Sequence, residues 1–318
     1  MSKDVTKLSH RAFFTIALAA LLLCAQDALA QRRAKRPAAA STKSITIKTE
    51  PNAVVWLDEV RRGAADAEGR LTLEKVSAGR HTLRVRASGF RERTLPLTGA
   101  QRGEIEVRLT ETTDEAELTF QRAEEAREKA RDEESKRAAA ELYRRAIGLR
   151  PKFAAAHVGL ARLLLDLNDY KQALAEIDRA RAARPVYPEA SAVEGRILRY
   201  AAFWDDAIAA FKRAIREGRG FQPEAHTGLG LLYEEKGMDE EAAAEFRAAI
   251  TQLSDSEPIL YQLLGAAYEK MEKYKEAVEA YEKYLELAPE GNMATAIRSV
   301  IDQLRRQAEE QQSGNPPY

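Results

Sequence analysis

The chain has 318 residues, 31% of them charged and 45% apolar, and its formal net charge is zero. Such a length holds about two domains, and the composition is that of a soluble globular protein, which excludes a chain that is mainly disordered or mainly membrane-spanning. The zero hides a split: residues 1–43 carry eight positive and two negative charges, whereas residues 111–318 carry 30 and 39.

Residues 1–30 read as a secretory signal peptide. Lys3, Lys7 and Arg11 form the positive start, Ala12 to Cys24 the apolar core, and Ala28-Leu29-Ala30 a small-x-small cleavage site before Gln31. The apolar run is too short for a bilayer span, which takes about 20 residues. Cys24 is the only cysteine. It is an alternative lipid acceptor, although Leu23 stands where that signal wants a small residue. Cleavage at Ala30 leaves a mature chain with no disulfide, thiol nucleophile or thiolate metal site. An exported protein of that kind suits a bacterial envelope. Residues 31–43, QRRAKRPAAASTK, have no apolar period and are expected to be a disordered basic linker. The linker is either a solvated tether or a contact with anionic membrane or cell-wall polymer.

Residues 44–110 change character. SITIK, AVVWLD, RLTLEKV, HTLRVRA, RTLPL and EIEVRL alternate with period two and are broken by Gly, Pro and Asn, so each reads as a strand. One face collects Ile45, Ile47, Val55, Leu57, Leu71, Leu73, Leu83, Val85, Leu95, Leu97, Ile105 and Val107. Six or seven strands in so short a stretch make a small β-sandwich. Pro51 and Ala53 before an alternating strand, Gly79 and His81 opening another, and Gly89-Phe90 closing it resemble the PEGA domain, a small sandwich module of bacterial envelope proteins. The motif is reduced to Pro51-Asn52-Ala53, and RRGAADAEGR replaces the usual Gly-x-x-Pro loop. These departures leave a transthyretin-like module as another sandwich compatible with the pattern. Arg84 and Arg86 on one strand, with Arg91 and Arg93 on the next, form either an anion-binding stripe or a sheet face kept soluble by charge.

From about residue 115 the chain turns helical and repeats itself. Ala139, Ala173, Ala207, Ala242 and Ala277 are spaced by 34 or 35 residues. Four residues after each comes Tyr143, Ile177, Phe211, Phe246 or Tyr281, and three further on Ala146, Ala180, Ala214, Ala249 or Tyr284. Small, bulky and small residues at that spacing share one helix face and let a second helix approach. Leu229, Gly230 and Tyr233, then Leu264, Gly265 and Tyr268, face that partner helix, and Gly237 ends its helix where a left-handed residue is wanted. Pro151, Pro185 and Pro289 close three of the units. This pattern closely resembles the tetratricopeptide repeat. The first unit is worn, with Arg127 where Gly or Ala is expected. After residue 291, Met293, Ile297, Val300, Ile301 and Leu304 line one face of a closing helix over residues 292–311, and residues 312–318 are a tail. The expected fold class is therefore multidomain: a small all-β, PEGA-like sandwich over 44–110, then an all-α superhelix of about five repeats over 111–291.

The resemblance implies a concave groove lined by first helices. The positions that match are Val158, Arg162, Asp166, Arg196, Arg199, Tyr200, Thr227, Leu231, Glu234, Gln262, Ala266 and Lys270. Arg162, Arg196 and Arg199 would make its first half basic, and Glu234, Glu235 and Glu269 its second half acidic; the alternative is an ordinary solvated helix face. Of the four histidines, His10 leaves with the signal, and His157 and His226 fall at packing positions; with His81 they form no triad or metal-ligand cluster. The expectation is a non-enzyme without cofactor or metal that binds a protein or peptide and no nucleic acid, and that has no membrane span after cleavage. The other reading is an envelope tether whose β-domain or basic linker holds cell-wall glycan or membrane while the repeats act as spacer.

Overall fold

The computed structural model describes residues 43–58, 60–76, 81–253 and 257–313. The expected signal segment, nearly all of the basic linker, Gly79 and the last five residues lie outside that description.

Nine strands build the first domain: β1 (Lys43–Lys48), β2 (Val54–Leu57), β3 (Val60–Ala64), β4 (Arg70–Val76), β5 (His81–Arg86), β6 (Phe90–Arg91), β7 (Arg93–Leu97), β8 (Gly103–Glu106) and β9 (Thr110–Glu111). One sheet runs β4-β1-β8, a second β3-β2-β5-β7, and β6 pairs β9. β1 is antiparallel to β4 and parallel to β8. Ile45, Ile47 and Leu73 from the first sheet meet Val55, Leu57, Leu83, Val85 and Leu97 from the second in one buried cluster, so the period-two residues are the sandwich core. Leu71, Leu95 and Ile105 close its rim, half-buried. Val60–Ala64, expected within a loop, is instead strand β3, returning along β2 after Asp58 takes the left-handed conformation at φ 53°. Its sequence, VRRGA, has no clean alternation because the register shifts between Val55 and Trp56.

Eleven helices follow: α1 (Glu115–Lys129), α2 (Glu133–Leu149), α3 (Ala154–Asp166), α4 (Tyr170–Ala183), α5 (Pro188–Tyr200), α6 (Trp204–Glu217), α7 (Pro223–Glu235), α8 (Asp239–Leu253), α9 (Pro258–Lys270), α10 (Tyr274–Leu287) and α11 (Ala294–Ser313). Starts and stops follow from local chemistry. Asp114, Asp132 and Asp169 cap α1, α2 and α4 through their carboxylates. Pro188, Pro223 and Pro258 open α5, α7 and α9, where a missing N–H costs nothing. In each of the four later repeats the turn between helices holds one left-handed residue, namely Asn168, Ala202, Gly237 or Glu272, at φ 55–69°.

The repeated alanines and their bulky partners are all buried between helices. Gly195, Gly230 and Gly265 lie so close to Phe211, Phe246 and Tyr281 that an added β-carbon would stand 2.5–2.6 Å from the ring. Gly228, from the next repeat, meets Phe211 as closely, so that ring locks its own helix pair and joins it to its neighbour. The worn first repeat still folds as the pair α1–α2. Arg127 at the small-residue position turns its guanidinium to the Tyr143 hydroxyl, with Nε donating over 3.3 Å. α11 covers the last repeat with Ile297, Ile301 and Leu304 against Ala277, Tyr281 and Tyr284.

Candidate partner-binding site

The sandwich does not hang free of the helical array. The outer face of β2 and β5 carries Trp56, Arg84 and Arg86, and this face lies against the first helices of the repeats. Trp56 sits opposite Arg84 in the sheet, and both guanidinium groups stack over its ring, at 4.6 Å for Arg84 and 5.1 Å for Arg86. Arg86 is only 8% exposed although the strand alternation points it outward. It bonds Glu92 of its own domain through Nε at 2.8 Å and Glu124 of α1 at 3.1 Å, and it lies 4.9 Å over Phe120. Gln121 of α1 accepts from the Gly89 N–H and donates to the Phe90 carbonyl. Arg61 approaches Glu128 at 3.7 Å. Further along, Asp58 and Val60 face Pro223, Thr227, Leu253 and Glu257, and Val60 packs against the apolar core of the later repeats.

A cavity of about 170 Å³ remains between the domains. Trp56, Arg61, Arg84 and Arg86 line it from the sheet, and Glu124, Arg127, Glu128, Gly159, Arg162, Glu189 and Glu224 line it from the array. Burial alone would raise the Glu124 carboxyl, but Arg86, Arg127 and the Tyr143 hydroxyl bring it down to about 2. Burial likewise opposes ionisation of Glu189, and Arg162 and Arg84 outweigh it, so its carboxyl also lies below the usual range.

The residues expected to line the groove separate into groups. Val158 is in the core and presents nothing to a ligand. Arg162 donates to Glu189 at 2.7 Å and reaches Glu224 at 3.5 Å beside the sandwich. Arg196 pairs with Glu224 at 3.2 Å, and Arg199 pairs with Glu235. The expected basic first half is therefore neutralised by glutamates of the later first helices, Glu189 of α5 and Glu224 and Glu235 of α7. Lys270 pairs with Glu234 at 2.8 Å. Leu231, Gln262 and Ala266 are half-buried along the later first helices, and Asp166 and Tyr200 are exposed. Thr227 borders the sandwich contact. Tyr200, Phe203 and Trp204 make an exposed aromatic edge at the α5–α6 turn, at 55%, 57% and 43%.

The expected four-arginine stripe is likewise divided. Arg84 and Arg86 face the helices, whereas Arg91 and Arg93 are exposed and Arg93 donates to the Arg108 carbonyl at 2.9 Å. Alternation on a strand tells which side a residue takes, but not that a second domain covers that side. Glu124, Glu128, Glu189, Trp56 and Arg61 were missed by sequence reasoning, because on a charge-rich helix or strand nothing distinguishes a docking residue from a solvated one.

His157 and His226 hold equivalent places. Each ring meets a glutamate of the paired helix at 2.6 Å, Glu176 and Glu245 respectively. The other nitrogen of His157 donates to the Pro151 carbonyl at 3.0 Å. Burial works against protonation of His157, but the Glu176 hydrogen bond, the Pro151 carbonyl and the Glu176 charge together raise its pKa above the ordinary value. Among the described residues no group of three or more His, Cys, Asp or Glu is arranged to hold a metal, and no helix is long and apolar enough to cross a membrane.

No curated protein sequence matches the chain. Solved structures share the fold of the helical part. PilW, described as a widely conserved type IV pilus biogenesis factor, is 16% identical with a TM-score of 0.54, covering 62% of this chain and 89% of its own. PilF of Pseudomonas aeruginosa is 15% identical with a TM-score of 0.53, covering 62% and 87%. TTC0263 of Thermus thermophilus, a thermophilic TPR protein, is 22% identical over 59% of this chain and 98% of its own, with a TM-score of 0.49. Sequence profiles of the tetratricopeptide repeat match residues 130–197, 193–258 and 258–290. Over this continuous half of its length, with the interlocked glycines and aromatics seen in the helix pairs, the chain belongs to the tetratricopeptide repeat family.

Proposed function

We propose that the protein is a non-catalytic, exported scaffold of the bacterial cell envelope that carries a protein or peptide partner on the concave face of its repeats. The observation that carries this reading is the set of half-buried first-helix residues Leu231, Gln262 and Ala266, with Tyr200 exposed at the end of α5. Such a face offers an extended surface without needing a reactive group. The aromatic edge of Tyr200, Phe203 and Trp204 adds apolar area of the kind found at protein contacts. His157 and His226 support a structural role, since each is held by a glutamate inside its helix pair. Export rests on the pattern of residues 1–30.

Site-specific photo-crosslinkers at Leu231, Gln262 and Ala266 test the reading in intact cell envelopes. They should capture a common protein, whereas probes at Lys212 and Arg247, exposed on second helices, should not. Equal capture at both sets, or none, sinks it. The tethering alternative draws on Arg91 and Arg93, which stay exposed. Retention of the protein by isolated peptidoglycan, lost on Arg91→Glu with Arg93→Glu, would favour that alternative.

A further inference from the structure

The contact between the sandwich and the array has the form of a ligand in a receptor. On the receptor side, Glu124 and Glu128 of α1 hold Arg86 and Arg61 directly, and Glu189 of α5 and Glu224 of α7, which also pair with Arg162, line the same cavity, so three first helices bring carboxylates to one place. On the ligand side stand two arginines two residues apart on one strand, backed by Trp56. The receptor also reads main chain, since Gln121 bonds the Gly89 N–H and the Phe90 carbonyl whatever their side chains. The seam is charged and holds a cavity rather than a close-packed apolar core. Paired charges at such a seam select a partner more than they tighten it, and polar contacts between domains commonly exchange. The array's own arginines are paired with its own glutamates, so an acidic ligand finds no free cation at Arg162, Arg196 or Arg199.

We propose that this part of the concave face is a receptor for a strand-like protein segment presenting an arginine-x-arginine pair beside an aromatic residue, that β5 occupies it in cis, and that an external segment of the same chemistry binds by displacing the sandwich. The inference uses the scaffold reading for its purpose, but its site is separate from Leu231, Gln262 and Ala266. Arg61 is exposed and pairs only loosely with Glu128, so reversing its charge loosens the seam without touching either core.

The test uses the full chain and a fluorescein-labelled peptide copying residues 81–93, which carries Arg84, Arg86 and Phe90. Anisotropy at low salt should show at least tenfold tighter binding to the Arg61→Glu variant than to the wild type. Binding should vanish when Glu189→Gln is added, and it should weaken steeply with salt. Radius of gyration from small-angle scattering should rise in the Arg61→Glu variant and return with Arg61→Glu combined with Glu128→Arg. A second opened form, Arg84→Glu with Arg86→Glu, should bind the peptide as well, provided its circular dichroism is unchanged. If folded Arg61→Glu protein binds no more tightly than wild type, or if binding ignores Glu189→Gln, the proposal fails. Crosslinking at Leu231 that persists in that event leaves the scaffold reading standing.

Discussion

Ala202 sits at φ 62°, where its repeat counterpart in the fourth unit is Gly237 at φ 69°. A β-carbon in the left-handed region costs about 1–2 kcal/mol, while glycine gives back part of that through the freedom of the unfolded chain. Ala202→Gly should therefore stabilise the protein by about 0.5–1 kcal/mol in urea unfolding; a loss of stability would show that the turn is held by something other than backbone preference. The opposite holds at Gly230, whose missing β-carbon makes room for the Phe246 ring. His157 gives a pH signature. Both of its ring nitrogens face acceptors, Glu176 and the Pro151 carbonyl, so the charged ring satisfies both at once. With a folded pKa above the unfolded value of about 6.5, its contribution is complete below that value and is lost as pH rises through the folded one. The stability gap between wild type and His157→Gln should accordingly be wider at about pH 5.5 than at about pH 8.5. An equal gap would mean that the ring is neutral throughout.

At the scale of elements, each helix pair buries one face inside the pair and a second against the next repeat, so the last pair needs a lid. That lid is α11, with Ile297, Ile301 and Leu304 nearly fully buried on Ala277, Tyr281 and Tyr284. Its sequence shows the role, since Met293, Ile297, Val300, Ile301 and Leu304 fall on one stripe while the remaining face is charged. Ile301→Ala should destabilise by about 2–4 kcal/mol. Hydrogen exchange should localise the loss to α10 and α11 rather than to α1–α4, because repeat stability is passed between nearest neighbours. A uniform loss across the array would contradict the capping role. α2 shows how a worn repeat keeps its place. It starts six residues before Ala139, whereas α4 starts three before Ala173, and α1 ends two residues after Arg127, whereas α3 ends five after Ala161, so the interhelix turn slides by one helical turn with the repeat length unchanged.

For the whole molecule, the charged seam joins the sandwich to the array. Glu124 is its centre on the helical side, close to Arg86, Arg127 and Tyr143. Replacing it by Gln leaves the buried Arg86 with Glu92 alone and the half-buried Arg127 without a carboxylate, and breaking such a buried pair from one side costs up to about 3–5 kcal/mol. The carboxyl titrates at about 2 in the folded protein, below its unfolded value, so its contribution is complete above the unfolded value and falls away as pH drops through about 2. The difference between wild type and Glu124→Gln in urea unfolding should thus be steady from neutral pH to about pH 5 and shrink below it. A difference that grew on acidification would mean that the carboxylate is not ion-paired. Export is tested at the same scale: mass spectrometry of the protein recovered from the envelope should find Gln31 as its first residue, and an intact Met1 or a lipid on Cys24 would overturn the reading of residues 1–30.

Periodicity is a local property, and it carried most of the fold. The period of two in Ile45, Ile47, Val55 and Leu57 placed the sandwich core, and the Ala-bulky-Ala recurrence placed every helix pair, because burial of one face is decided by spacing along the chain. Strand β3 escaped because a register shift removes the alternation. Docking of the two domains was not legible. Arg86 and Glu124 are 38 residues apart, and within the array Arg162 and Glu224, whose pairing was equally hidden, are 62 apart. Each alone looks like any charge on a solvated face, and whether it ends up paired depends on how two surfaces formed by distant segments match in shape and charge. Arg162, Arg196 and Arg199 therefore read as a basic groove along the chain, and only the tertiary structure decided that neighbouring glutamates neutralise them and that Arg86 of β5 packs against Glu124 and Phe120 of α1.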